Sequence, residues 1–186
     1  MRLILTFLAL FSALLVRSQN MDTRSMSVKE NSIAQNFSVM TEEKNIKPQN
    51  TLIYFYYRDD KLFQTQGSFS GWLLQGKYES FYADKALQSQ GFFKLGLKSG
   101  EWKCWYPNGF LKSVETWENG RKTGYFAEYN DKGILLKTGR YKNGFISGKV
   151  LVYNDRNEVI EILNYKKGLP EQPKTKKVAI AATGNQ

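Results

Sequence analysis

From about Tyr54 to Gly168 the apolar and glycine positions of this chain recur at a fixed step of 24 residues. Gly96, Gly120, Gly144 and Gly168 form one column, and Phe93, Trp117, Tyr141 and Tyr165 a second. Phe81, Trp105, Tyr129 and Tyr153 keep the same step, as do Leu87, Leu111, Leu135 and Val159. A fifth column holds Tyr78, Trp102, Phe126 and Val150. A period of this length marks one small unit repeated, each copy burying its apolar residues against its neighbours.

A single unit is clearest from Gly100 to Gly124. Glu101 to Tyr106 is aromatic-rich, Asn108-Gly109 is a turn signal, Phe110 to Glu118 is a second extended run, and Asn119-Gly120 is another turn signal. Asn-Gly between extended runs marks a β-hairpin, because both residues accept the positive φ of a type I′ turn. Helix is excluded by closely spaced glycines and the lack of a 3.6-residue apolar stripe. Units beginning near Leu52, Gly76, Gly100, Gly124 and Gly148 predict an all-β fold over residues 51–168. It is expected to be an elongated, open antiparallel sheet of about five successive hairpins, or about ten strands. The units decay at both ends, with Trp72 where glycine is due and Asn157 in the place of Gly109 and Gly133, as capping requires.

The flanks differ in pattern. Arg2 precedes an apolar run from Leu3 to Val16 that is short for a membrane span and matches a signal-peptide core. Val16 and Ser18 supply the small residues before a cut ahead of Gln19, so residues 1–18 are expected to be a signal peptide. The mature chain is then periplasmic or secreted. Residues 19–50 are polar, with Phe37 as their single aromatic, and are expected to be a mostly disordered tether, Val28 to Glu43 having the alternative of a short, weak helix. Residues 169–186, with Lys174, Lys176 and Lys177, are expected to be a basic disordered tail.

Charge adds a leaning towards anionic partners. The chain carries a net +10, and removal of residues 1–18 takes away Arg2 and Arg17 and leaves +8. Such an excess favours acidic proteins, anionic polymers or lipid headgroups. Equally, it suits a soluble surface whose exposed lysines discourage edge pairing.

Chemistry is scarce. The chain has no histidine, which removes histidine triads, histidine metal sites and the commonest general base. Its one cysteine, Cys104, has no imidazole to activate it and no partner for an intramolecular disulfide; it is either buried or open to an intermolecular bond. Asp59-Asp60 and Glu42-Glu43 read as solvated pairs, and no phosphate-cradling loop is present. No catalytic residue, metal ligand or cofactor site is predicted.

The string Gly100-x-Trp102-x-x-Trp105-Tyr106-x-Asn108-Gly109-x-Leu111, then Trp117-x-Asn119-Gly120-x-x-x-Gly124, resembles the variant MORN repeat of many bacterial proteins. The pattern recurs at Tyr129, Gly133, Leu135, Gly139, Tyr141, Asn143-Gly144 and Gly148, and the resemblance covers about residues 54 to 168. It implies a ribbon of hairpins acting as an interaction module that organises proteins or contacts membranes. The bacterial variant is often described as similar to the antitoxin component of a toxin–antitoxin pair, a role that an export signal does not fit.

Binding is therefore the expected function, through a distributed aromatic surface of Trp105, Trp117, Tyr129, Tyr141 and Tyr153. A basic rim of Lys103, Lys112, Arg121, Lys122, Arg140 and Lys142 accompanies it. The same rings also serve as the packing of the sheet itself. An unknown protein is the first partner expected. An anionic cell-wall polymer or membrane surface is the alternative, and toxin neutralisation a further one; nucleic acid is disfavoured by export. Trp102 and Trp105 have opposite strand parity, so unless a bulge intervenes their columns face opposite ways.

Overall fold

The computed structural model describes residues 22–42 and 44–171, in which every regular element is a strand. In chain order these are β1 (Thr23–Glu30), β2 (Ile33–Met40), β3 (Ile53–Arg58), β4 (Lys61–Gln66), β5 (Trp72–Phe81), β6 (Leu87–Lys94) and β7 (Leu97–Trp105). They continue with β8 (Leu111–Glu118), β9 (Arg121–Tyr129), β10 (Leu135–Lys142), β11 (Phe145–Ile146), β12 (Gly148–Tyr153), β13 (Val159–Lys166) and β14 (Leu169–Pro170). All belong to one open antiparallel sheet, ordered β1-β2-β5-β6-β7-β8-β9-β10-β12-β13-β14, with β11 also on β10. The expected signal peptide and most of the basic tail lie outside the described residues; Leu169 and Pro170, assigned to that tail, are instead the strand β14.

From β5 onward the repeat folds as its columns require. Leu95-Gly96, Asn119-Gly120, Asn143-Gly144 and Lys167-Gly168 each place two consecutive residues at positive φ, 47° and 75° for Asn119 and Gly120. That is the type I′ geometry whose twist matches paired strands. These turns stack along one margin of the sheet: Gly120 N donates to Lys98 O at 3.0 Å, and Gly144 N to Lys122 O at 2.8 Å. Asn108-Gly109 departs from the expected I′ turn. Gly109 alone has positive φ, 86°, and Asn108 Oδ1 instead accepts from Phe110 N at 3.3 Å, closing a longer loop.

Gly76, Gly100, Gly124 and Gly148 have another task. All have positive φ and sit where the register slips between β5 and β2, β7 and β6, β9 and β8, and β12 and β10. These bulges give each unit the same bend. A single layer must still bury its rings, and it does so by laying them on glycine. A Cβ at Gly91 would fall 2.2 Å from the Trp102 ring, and one at Gly139 2.6 Å from Phe126. Trp102 and Phe126 are buried as a result, at 4% and 2% exposure.

Two expectations fail at the N-terminal end. The tether is a hairpin: β1 and β2 turn at Asn31-Ser32, both at positive φ, and β2 pairs with β5 through Phe37 and Tyr78. Neither disorder nor the short helix holds for its described residues. Met26-Ser27-Val28 and Phe37-Ser38-Val39 alternate apolar and polar residues at the strand period, and the sheet supplies the surface that those few apolar groups lack on their own. Secondly, β3 and β4 do not extend the ribbon. They leave β5 through Tyr56–Leu73 and Tyr57–Trp72 and fold across one face, called here the inner face. Phe55 meets Phe93 with ring centroids 4.8 Å apart, and Tyr57 meets Phe37 at 5.9 Å. Behind the hairpin, Tyr54 and Tyr56 pack with Met40, Leu52 and Leu73 in a second cluster. This end is thus two layers thick.

Candidate functional site

The inner face continues beyond the β3–β4 hairpin as a strip of alternating rings and ammonium groups. Phe93 pairs across strands with Lys98, and Trp117 with Lys122; Tyr141 follows 24 residues after Trp117, opposite Ile146. Cross-strand partners share a face, so these side chains line up beside the tight turns. Lys98 Nζ lies 4.1 Å from the centroid of Trp102, 5.0 Å from Trp117 and 5.8 Å from Phe55. Lys122 Nζ lies 5.5 Å from Trp117 and 5.1 Å from Tyr141. An ammonium at this range over a ring is attracted by the negative face of the π system.

The two lysines differ in charge balance. Lys122 is ion-paired with Glu115, whose other oxygen accepts from Trp117 Nε1 at 3.2 Å. Burial alone would depress the Lys122 ammonium, but the hydrogen bond and charge of Glu115 outweigh it and hold its pKa above the ordinary lysine value. Lys98 has no such partner among the described residues. Burial beneath Phe55 and between the two tryptophans lowers its pKa. It is a half-buried cation at the end of the covered zone, with no carboxylate of the described residues bound to it.

The predicted binding residues are divided by this geometry. Trp117, Tyr141 and Lys122 belong to the strip. Trp105, Tyr129 and Tyr153 face the other way, paired with Leu111, Leu135 and Val159. Each follows an inner-face residue by one position, and the extra residue of the register shift at that step, Lys112, Leu136 or Ile160, lies on the partner strand. There they cover the outer face: Tyr153 Oη lies 3.1 Å from Oγ1 of the buried Thr138. The predicted basic residues form no single rim. Lys103 is paired with Glu101 at 2.7 Å, Lys112 sits over Tyr106, Arg121 donates to Thr51 Oγ1 at 3.1 Å, and Arg140 and Lys142 are exposed.

Cys104 is half-buried on the inner face, opposite Ser89 and Ser113. Asp59-Asp60 forms the β3–β4 turn, where Asp60 accepts from Tyr57 Oη at 2.7 Å. Among the described residues no cluster of three His, Cys, Asp or Glu side chains could hold a metal ion. Lys98 and Glu115 were not among the expected site residues. The signal for Lys98 was present in the 24-residue column Leu74, Lys98, Lys122, Ile146, where charge replaces an apolar side chain, and that for Glu115 in the column Gly91, Glu115, Gly139. No family model and no curated protein matches the chain.

Proposed function

We propose that this chain is a MORN-like repeat ribbon, exported after removal of residues 1–18, that works as a non-catalytic binding module. Its inner face receives an extended, acidic and aromatic-bearing segment of a partner protein. The observation that carries this reading is the chain's own β3–β4 hairpin. Phe55 rests on Phe93, approaches Lys98 Nζ to 5.8 Å, and donates its backbone N–H to Gly96 O at 2.8 Å. One unit further on, Trp117, Lys122 and Gly120 repeat those three groups, and no strand of the described residues lies over them. Lys98, lacking a carboxylate, supplies the preference for acid.

The test uses a peptide alternating phenylalanine and glutamate, followed by tryptophan fluorescence of the full chain. Binding should weaken steeply with salt, and Lys98→Met should reduce affinity about tenfold, the scale of one charge-assisted contact. Unchanged affinity in Lys98→Met contradicts the reading. Displacement of the peptide by an anionic polysaccharide or by anionic vesicles would move the function to polymer or membrane binding.

A further inference from the structure

The two ends of the sheet present different edges. β1 offers threonine, serine, lysine and arginine around Met26 and Val28, a composition that discourages pairing. β13 does the reverse, exposing Val159 at 46%, Ile160 at 63% and Ile162 at 51%, with Leu169 at 72% beside them. β14 pairs only with Tyr165 and Lys166, and Glu171 N adds one bond to Asn164 O at 2.7 Å. From Val159 to Leu163 no strand of the described residues lies on the outward side of β13.

Neither the chain's own continuation nor a second copy suits this edge. Leu169 to Glu171 repeat Phe145 to Ser147 one unit later, down to the bond from Ser147 N to Arg140 O at 2.9 Å. The next step of the repeat requires a residue at positive φ, as Gly76, Gly100, Gly124 and Gly148 provide. The chain has Gln172 followed by Pro173 there, so its sequence lacks the glycine found at those four steps. Two β13 strands related by a two-fold axis fare no better. With β14 occupying Tyr165 and Lys166, the register left to them sets Glu161 against its own copy, a like-charge pair.

We propose that the free edge of β13, from Val159 to Leu163, is a strand-addition site for an extended segment of another protein. That segment carries apolar residues towards Ile160 and Ile162 and a lysine or arginine opposite Glu161. The sheet supplies both rules. Glu161 ends an inner-face row that runs through Glu128, Lys137 and Val152, in which Glu128 and Lys137 are ion-paired at 3.0 Å. On the outer face Ile162 already pairs with Leu151. Backbone hydrogen bonds give such additions their affinity and alternate side chains their specificity. This site is independent of the inner-face strip.

Two nine-residue peptides test it by fluorescence anisotropy on the full chain, one alternating valine with lysine and one alternating valine with glutamate. The lysine peptide should bind about fivefold more tightly, and Glu161→Lys should reverse that order. Ile162→Pro should abolish both interactions while retaining the fold, because strand alternation from Asn164 turns the Ile162 N–H away from β12. Equal affinities that Glu161→Lys leaves unchanged would overturn the proposal. So would a dimer that Ile162→Pro dissociates, or tighter peptide binding by a chain cut after Glu171, which would assign the edge to the chain's own tail.

Discussion

Beneath the β3–β4 hairpin, the inner face is a two-layer core of Phe37, Leu74, Tyr78, Phe93 and Trp102, with Leu74 fully buried. One unit along, the same face carries Trp117, Lys122 and Tyr141 with no strand of the described residues over them. The backbone is the same in both places, with the same I′ turns and the same bulge glycines. Two repeat positions differ most in charge: one holds Leu74 under the hairpin, Lys98 at its border and Lys122 in the open, and another holds Gly91 and then Glu115, the partner of Lys122. A repeat fixes local geometry, and the departures within a column record which part of the sheet is covered.

Truncation should separate the two regions most strongly. Phe93→Ala empties a site between Phe55, Tyr78 and Trp102, and should cost about 4 kcal/mol, whereas Tyr141→Ala on the open strip should cost about 1–2 kcal/mol. Urea unfolding of both variants measures the difference, and equal costs would abolish the distinction between covered and open face.

A smaller contrast lies in the turns. Gly96 and Gly144 both have positive φ, but a Cβ at Gly96 would stand 2.5 Å from Leu73 and 2.9 Å from Phe55 O, while one at Gly144 meets nothing within 4 Å. Gly144→Ala should cost about 1 kcal/mol for backbone strain, and Gly96→Ala about 3 kcal/mol, since the hairpin must also shift. Thermal melts of the pair check the ratio.

The smallest effects come from the two lysines and have opposite signs. Burial lowers the Lys98 pKa in the folded chain, so its ammonium is destabilising wherever both folded and unfolded chains carry the charge. The penalty fades as pH rises through its lowered folded pKa towards the ordinary value of 10.5. Lys98→Met should therefore stabilise by about 1 kcal/mol at neutral pH, with the gain shrinking in alkali. Lys122, with its raised pKa, contributes stability that is fully present below 10.5 and is lost as pH climbs through its folded value. Lys122→Met should destabilise by up to about 1 kcal/mol at pH 7 after solvent screening. Melts of both variants between neutral and alkaline pH would show the two differences converging.

The hairpins from β5 to β13 were legible because period, turn chemistry and apolar columns agree at every unit. The β1–β2 hairpin was hidden by its composition: Met26, Val28, Phe37 and Val39 alternate correctly, but six of the eighteen residues from Thr23 to Met40 are serine or asparagine. Their burial depends on Tyr78 and Leu74, some forty residues away, which local pattern does not report. The folding back of β3 and β4 was likewise invisible, since Tyr54 and Tyr57 hold the repeat's columns whether the hairpin extends the ribbon or covers it. At the strip, conspicuous tryptophans and tyrosines were found and sorted only by parity. Lys98 escaped because one lysine among 27 basic residues becomes distinctive only when three rings surround it and no carboxylate of the described residues is ion-paired with it.

The β3–β4 hairpin lies over one end of the inner face, and no other strand of the described residues covers the remainder. A nuclear Overhauser spectrum of the full chain tests it directly. Cross-peaks between the rings of Phe55 and Phe93, 4.8 Å apart, and between those of Tyr57 and Phe37, 5.9 Å apart, are expected, with no residue of β3 or β4 reaching Tyr141. Phe93 showing contacts to Tyr78 and Trp102 alone, with β3 and β4 giving none to the inner face, would return the chain to a single-layer ribbon and contradict the account.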